Sequence, residues 1–271
     1  MMKRMNAPAL VSIITINYNN ADGLRKTLDS VRAQTFADYE QIIVDGGSTD
    51  GSVDVIKEAL QDKKFAKRVS WWRSEKDGGI YDAMNKGIKQ AGGKFVFMLN
   101  SGDCFSDKSV LSQMEETLRA NEGGVVYGAV DYYDESGYLY TCSIRASDLL
   151  KERNIPHQAC FISRGLHEKI GFYDCSYKIY ADFDFMIKSY KAGVNFVHAP
   201  FVVSDCEIVG ASSNSELQKK ELLMLKEKHY PKEKKARKFA VRFLKFILPG
   251  FVIEFLRLCR RLAGGGVRND C

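Results

Sequence analysis

Four short apolar runs in the first hundred residues each lead into a segment of helical periodicity. This alternation narrows the fold more than any other feature. Residues 10–16, 41–44, 69–73 and 95–99 have strand length and apolar character. After the first run, Leu24, Leu28 and Val31 fall at i, i+4 and i+7, behind the capping candidates Asn20 and Asp22. Residues 53–60 begin a second helical pattern, after a turn framed by Gly46, Gly47 and Gly51. Met84, Ile88 and Ala91 mark a third, closed by Gly92-Gly93, and residues 110–118 a fourth. Buried apolar strands alternating with helices predict an α/β fold whose sheet is mostly parallel and covered on both faces.

After about residue 124 the pattern changes. Residues 125–130 and 138–143 read as strands joined across the turn cluster Asp134-Glu135-Ser136-Gly137. A helix over 182–192, a strand over 194–198 and a polar amphipathic helix over 214–229 follow. These mixed elements are expected to extend the first sheet, giving one domain over 1–230 with a Rossmann-like half at about 10–124 and a mixed half at about 125–230. Residues 231–271 form a separate tail.

Charge supports that division. The chain is net +6, yet from Lys232 onward eleven Lys and Arg stand against Glu233, Glu254 and Asp270. The preceding body is therefore net acidic by two, and a nucleic-acid-binding role is not expected of it. The 7 cysteines show no C-x-x-C spacing, so neither a disulfide framework nor a zinc site is indicated, and reduced thiols in the cytoplasm are expected. No apolar run approaches the roughly 18 residues of a transmembrane helix. Residues 1–9 carry two basic residues with no apolar core region behind them, so no secretory signal is expected.

In an open parallel sheet, ligands bind beyond the carboxyl ends of the strands. Here those ends read Asn17-Tyr18-Asn19-Asn20, Asp45-Gly46-Gly47-Ser48-Thr49-Asp50-Gly51, Glu75-Lys76-Asp77-Gly78-Gly79 and Asn100-Ser101-Gly102-Asp103. All are polar, and three pair Asp with Gly. The first glycine turn lacks both the G-x-G-x-x-G spacing and a P-loop Lys, which disfavours dinucleotide and Walker-type ATP sites. Taken alone, each aspartate is open to a second reading as a cap or turn residue; together they favour a nucleotide site. Asp103, after a buried strand and a flexible Gly, suits a hard cation, Mg²⁺ or Mn²⁺, shared with substrate diphosphate oxygens.

Val11-Ser12-Ile13-Ile14-Thr15-Ile16-Asn17-Tyr18-Asn19 and Val44-Asp45-Gly46-Gly47-Ser48-Thr49-Asp50-Gly51 resemble the opening of family 2 glycosyltransferases of the GT-A fold. The stretch from Ser74 through Asp77-Gly78-Gly79-Ile80-Tyr81-Asp82-Ala83-Met84-Asn85 to Ile88, with Leu99-Asn100-Ser101-Gly102-Asp103, is similar to a subgroup that builds bacterial exopolysaccharides of the colanic-acid type. The resemblance covers roughly 10–215. It implies that Asn17 and Tyr18 lie beside the base of a nucleotide sugar, that Asp45 bonds the base or ribose, and that Gly46, Asp77, Asn85 and Ser101 shape that pocket. Asp103 matches the last acid of the family's D-x-D metal motif, whose first acid is replaced by Ser101. Asp182 matches the catalytic base, with Ala181 in place of the usual Glu, while Asp184 and a helix-capping role stay open beside it. His157 and Gln158, in Pro156-His157-Gln158, and Asp205, before Val209-Gly210-Ala211-Ser212, match acceptor-side features; for His157, contact with the diphosphate, contact with the acceptor and a packing role all stay open. The family has a second Gly where Val209 stands.

The function implied is inverting transfer of a sugar from a nucleoside-diphosphate sugar, UDP by default, to a saccharide acceptor. The tail interleaves Phe239, Phe243, Phe246, Ile247, Phe251, Phe255 and Leu258 with Lys238, Arg242, Lys245, Arg257, Arg260 and Arg261. Residues 232–262 therefore read as basic amphipathic helices for an anionic bilayer, or as a helix packed on the body. The first reading places the protein on the cytoplasmic face of the plasma membrane, near a polyprenyl-diphosphate-linked acceptor. Two other functions are weighed. A sugar nucleotidyltransferase needs a basic Gly-rich loop after the first strand, which Asn17–Asn20 does not supply. A catalytically silent nucleotide-sugar binder in an assembly complex is consistent with Ser101 and Ala181.

Overall fold

The apolar runs become central strands because both of their faces are covered. The computed structural model describes residues 8–207 and 215–230. Every residue of β1 (Val11–Asn17) is buried. It is flanked by β2 (Tyr39–Asp45) and β4 (Phe95–Met98), both parallel to it, and β3 (Val69–Ser74) lies parallel beyond β2. On one face, α1 (Ala21–Arg32) and α2 (Ser52–Ala59) pack Leu24, Leu28, Val31, Val55 and Ile56 with Val11, Ile13 and Ile43. On the other, α4 (Ile80–Gln90) buries Tyr81, Met84 and Ile88. A short α3 (Lys63–Ala66), capped by Asp62, links α2 to β3.

Asn20 caps α1 through Gly23 N–H, as its position before the periodic segment predicts. The remaining elements are β5 (Cys104–Phe105), α5 (Val110–Ala120), β6 (Val125–Asp134), β7 (Gly137–Cys142), β8 (Cys160–Ser163), α6 (Arg164–Lys169), α7 (Ala181–Lys191), β9 (Phe196–Glu207) and α8 (Ser215–His229). Two 3-10 turns, Ala146–Lys151 and His157–Ala159, precede β8. The strands form one sheet in the order β3-β2-β1-β4-β8-β6-β9-β5, with β7 on β6. From β4 outward the sheet is mixed. β8 runs antiparallel to β4 and β6, β9 runs parallel to β6, and β5 runs antiparallel to β9.

Chain packing divides the molecule into two units between Leu222 and Leu223, inside α8. The second unit is described only as far as Tyr230. Among the described residues no helix is long and apolar enough to cross a membrane. The expected membrane-binding segment 232–262 and the loop Val209-Gly210-Ala211-Ser212 lie outside the described residues.

Candidate active site

β1, β2 and β3 end in register, and this brings their terminal polar residues together. Asn17 pairs with Asp45, and Asp45 with Ser74. Asp45 is fully buried. Its Oδ1 accepts hydrogen bonds from Asn17 Nδ2 (2.7 Å) and the Ser48 hydroxyl; its Oδ2 accepts from Ser74 Oγ (2.6 Å), Ser48 N–H (2.9 Å) and Gly47 N–H (3.2 Å). Burial pushes this carboxyl up, but the bonds from Ser48, Ser74 and Asn17 outweigh it and hold the group below the usual carboxylate value.

The loop so ordered presents Gly46 between two neighbours. A Cβ there would lie 2.8 Å from Asp77 Oδ2 and 3.2 Å from the Tyr18 ring. Tyr18 is 67% exposed and offers an open aromatic face. Asp77 also accepts the Gly79 N–H at 2.8 Å. Asn17, Tyr18, Asp45, Gly46 and Asp77 therefore form one cluster around the β1–β3 ends. Asn17 Oδ1 is a buried acceptor without a partner among the described residues.

The strand order reverses between β1 and β4, and the Asn100–Asp103 loop emerges at that point. Ser101 N–H bonds Ile16 O at 3.0 Å, and the Ser101 carbonyl accepts from Asn20 Nδ2 at 3.2 Å. Thr27 Oγ1 on α1 pins the loop by donating to Asp103 O (2.7 Å) and accepting from Gly102 N–H (3.0 Å). Asp103 is 8% exposed; burial pushes its carboxyl up to about 6, against the weaker opposing pull of His157, Cys206 and Gln158. Among the described residues no group of three or more His, Cys, Asp or Glu is placed to hold a metal ion by itself.

A second cluster surrounds Asp182, the second residue of α7. Its Oδ2 lies 3.1 Å from both His157 Nδ1 and Asn154 Nδ2; its Oδ1 lies 3.0 Å from the Tyr81 hydroxyl. His157 Nε2 is 3.1 Å from Asn100 Nδ2. When Nδ1–H donates to Asp182, Nε2 is the acceptor for the Asn100 amide. His157 thus links the α7 carboxylate to the β4 loop that carries Asp103. Burial raises the Asp182 carboxyl, but His157, the Phe183 N–H and Asn154 together bring it below the ordinary value, so it is ionised at neutral pH. Asp184, the alternative two residues on, is buried in an ion pair with Lys188 at 2.6 Å. The cap position of α7 belongs to Tyr180, not to Asp182.

Two anticipated residues sit outside these groups. Asn85 spends its amide on the Tyr173 backbone, donating to the carbonyl (2.8 Å) and accepting the N–H (3.0 Å), on the α7 side of α4 rather than beside the β1–β3 ends. Asp205, on β9, pairs in register with Asp131 and Cys104; burial and the Asp131 charge raise its carboxyl. Tyr81, Asn100, Asn154 and Ser48 were not singled out from the sequence. Tyr81 opens α4 just after the Asp77-Gly78-Gly79 turn, and Asn100 and Ser48 stand in strand-end loops; Asn154 has no local signal, because only the fold brings it to Asp182.

A parallel half-sheet with polar strand ends, continued by a mixed half that delivers a buried carboxylate, is the architecture of GT-A transferases. A solved Staphylococcus aureus TarS fragment, in complex with UDP-GlcNAc, superposes with a TM-score of 0.61 at 18% identity, over 75% of this chain and 60% of that one. A mannosyltransferase from Pyrobaculum calidifontis, in complex with GDP-Man and Mn²⁺, gives 0.59 at 18% identity, over 76% and 59%. At these identities the likeness establishes the fold, and the chain spans about 60% of the length of these two solved chains. The pattern of Glycosyl transferase family 2 matches residues 12–185, and the chain belongs to that family. It is 38% identical over 192 residues to an uncharacterised glycosyltransferase of Mycobacterium tuberculosis, covering 68% of this chain and 70% of that protein. It is 33% identical over 225 residues to a PGL/p-HBAD biosynthesis glycosyltransferase of Mycobacterium bovis, covering 82% and 85%.

Proposed function

We propose that this glycosyltransferase moves a sugar from a UDP-sugar to a saccharide hydroxyl with inversion, in the synthesis of a bacterial exopolysaccharide or other cell-surface polysaccharide. The observation that carries the reading is the buried Asp182 side chain, held by Tyr81, Asn154 and His157 and joined through His157 and Asn100 to the strand-end loop of the donor half. An acceptor hydroxyl must lose its proton as it attacks the anomeric carbon, and in this reading Asp182 takes it. Tyr18 and Asp77 flank the nucleotide, and the unpartnered Asn17 Oδ1 supplies an acceptor for an N–H of the base. Gln158 and Asp205 belong to the acceptor side.

The residues at the Asn100–Asp103 loop fit a hard divalent cation, Mg²⁺ or Mn²⁺. Asp103 is a buried carboxylate, and Asn100 Oδ1 is a buried oxygen without a partner among the described residues. Asp103 would hold the ion, which when bound stabilises charge on the departing nucleoside diphosphate. The acceptor is proposed to be polyprenyl-diphosphate-linked, with 232–262 on the anionic inner face of the plasma membrane.

The test is thermal stabilisation by UDP, GDP, CMP and dTDP with and without Mn²⁺, followed by transfer assays on Asp182→Asn and Asp103→Asn. Asp182→Asn is expected to bind nucleotide as the parent does and lose at least about a hundredfold in turnover. Asp103→Asn is expected to lose the Mn²⁺-dependent part of the stabilisation. Normal turnover in Asp182→Asn refutes the base assignment. Nucleotide binding without turnover in the parent protein favours the silent-partner alternative.

A further inference from the structure

The segment Lys178-Ile179-Tyr180 leads directly into α7 and presents three consecutive backbone N–H groups. Tyr180 occupies the cap position of the helix and makes no side-chain cap bond. Helix-entry donors need partners when buried. The partner arrives from forty residues on. Glu221 of α8 is 2% exposed; its Oε1 accepts Lys178 N–H at 2.6 Å, and its Oε2 accepts Ile179 N–H at 2.9 Å and Tyr180 N–H at 3.2 Å. An anion at a helix N-terminus is favoured by the macrodipole, and these bonds are charge-assisted.

The pinned segment reaches both halves of the site. Ile179 O lies 2.6 Å from the Tyr81 hydroxyl, the same hydroxyl that sits 3.0 Å from Asp182 Oδ1. Lys178 Nζ donates to Gly78 O at 3.3 Å, one residue from Asp77. We infer that Glu221 is the positioning residue for Asp182. By anchoring 178–180 from α8, it sets where the α7 carboxylate stands relative to Tyr81 and His157, without touching substrate. Glu221 lies beyond the 12–185 segment that the family pattern covers. The inference rests on the reading of Asp182 as the group that meets the acceptor hydroxyl.

The experiment uses the full chain with Glu221→Gln and Glu221→Ala, and Asp182→Asn as reference. Gln keeps the shape and one acceptor oxygen, so it reports even where Ala fails to fold. Three readouts are compared. Hydrogen exchange at the 178–180 amides should quicken about tenfold or more in Glu221→Gln. The His157 imidazole resonances, among four histidines, should move toward their positions in Asp182→Asn. Release of UDP from UDP-GlcNAc, or GDP from GDP-mannose, with Mn²⁺ should show kcat lowered about tenfold or more, with donor KM held within about twofold. Unchanged exchange, an unmoved His157 signal, or unchanged kcat in a folded variant overturns the inference. If the parent protein releases no nucleotide from either donor, the proposed function fails. Exchange and the His157 signal then still decide whether Glu221 sets the position of Asp182.

Discussion

At the end of β2, Asp45 spends its carboxylate on the protein itself. Five donors converge on a group with about four lone-pair sites, and together they order the loop. Asp45→Asn turns an amide NH₂ toward some of those donors. It is expected to cost roughly 2–3 kcal/mol, read as a lowered melting temperature at neutral pH. The folded carboxyl lies below its ordinary value of 3.8, so its stabilisation is present above that pH and lost as pH falls through the lower folded value. Asp45→Asn should lack that part of the acid transition; equal acid profiles would count against the account. Gly46→Ala belongs to the same loop. Its new Cβ pushes on the end of the Asp77 carboxylate and on the exposed Tyr18 ring, side-chain ends rather than backbone, so the fold should survive while UDP or GDP binding weakens roughly tenfold, about 1.4 kcal/mol by calorimetry. Asn17, Asp45, Gly46 and Asp77 were legible because each ends or follows a recognisable strand. Asn154 was not, because its partner Asp182 is 28 residues away and only packing joins them.

Elements of the first half were readable because each carries its own period. β1 to β4, α1, α2, α4 and α5 appear within a few residues of their expected limits. The second half hid more. β8 has four residues and β5 two, too short to show a period, and the parallel pairing of β6 with β9 has no local signature. β9 runs from Phe196 to Glu207, well past the expected 194–198, because it pairs with β6 along most of its length and with β5 at its far end. The close seat of α4 on the sheet also escapes a periodicity argument. A Cβ on Gly87 would stand 2.4 Å from Ile14 Cγ2 and 3.4 Å from Val44 Cγ2, so the glycine sets the helix-to-sheet distance. Gly87→Ala gains helix propensity worth under about 1 kcal/mol, yet overpacks a filled contact at about 1–3 kcal/mol. The net expectation is destabilisation by about 1–2 kcal/mol in urea unfolding. A more stable variant would mean that α4 can lift away without cost.

Across the whole molecule, α4, α6 and α7 meet through aromatic side chains beneath the Asp182 cluster. His167 of α6 stacks on Phe185 of α7 at 4.7 Å and meets Tyr173 edge-on at 5.6 Å, while Tyr173 meets Tyr81 of α4 at 5.7 Å. Neither ring nitrogen of His167 has a partner among the described residues, nor has the Tyr173 hydroxyl. This apolar setting disfavours the imidazolium, and burial pushes His167 down to about 4 from its ordinary 6.5. The unfolded chain therefore takes up a proton on this residue between pH 6.5 and about 4, and the folded chain does not. Folding stability must fall as pH drops through that window. A difference of about 2.5 pH units, at about 1.4 kcal/mol each, sets the loss at roughly 3 kcal/mol. His167→Phe keeps the stacked ring and removes the titrating group, so its stability curve should be flatter than the parent's from pH 6.5 to 4. The imidazole carbon resonance of His167 should stay in its neutral position down to about pH 5. Since Asp182 rides on α7, protonation of His167 would loosen the carboxylate proposed as the base, and nucleotide turnover should fade with the same midpoint as the structural change. A His167 signal that titrates near 6.5 in the folded protein would remove the basis for all three expectations at once.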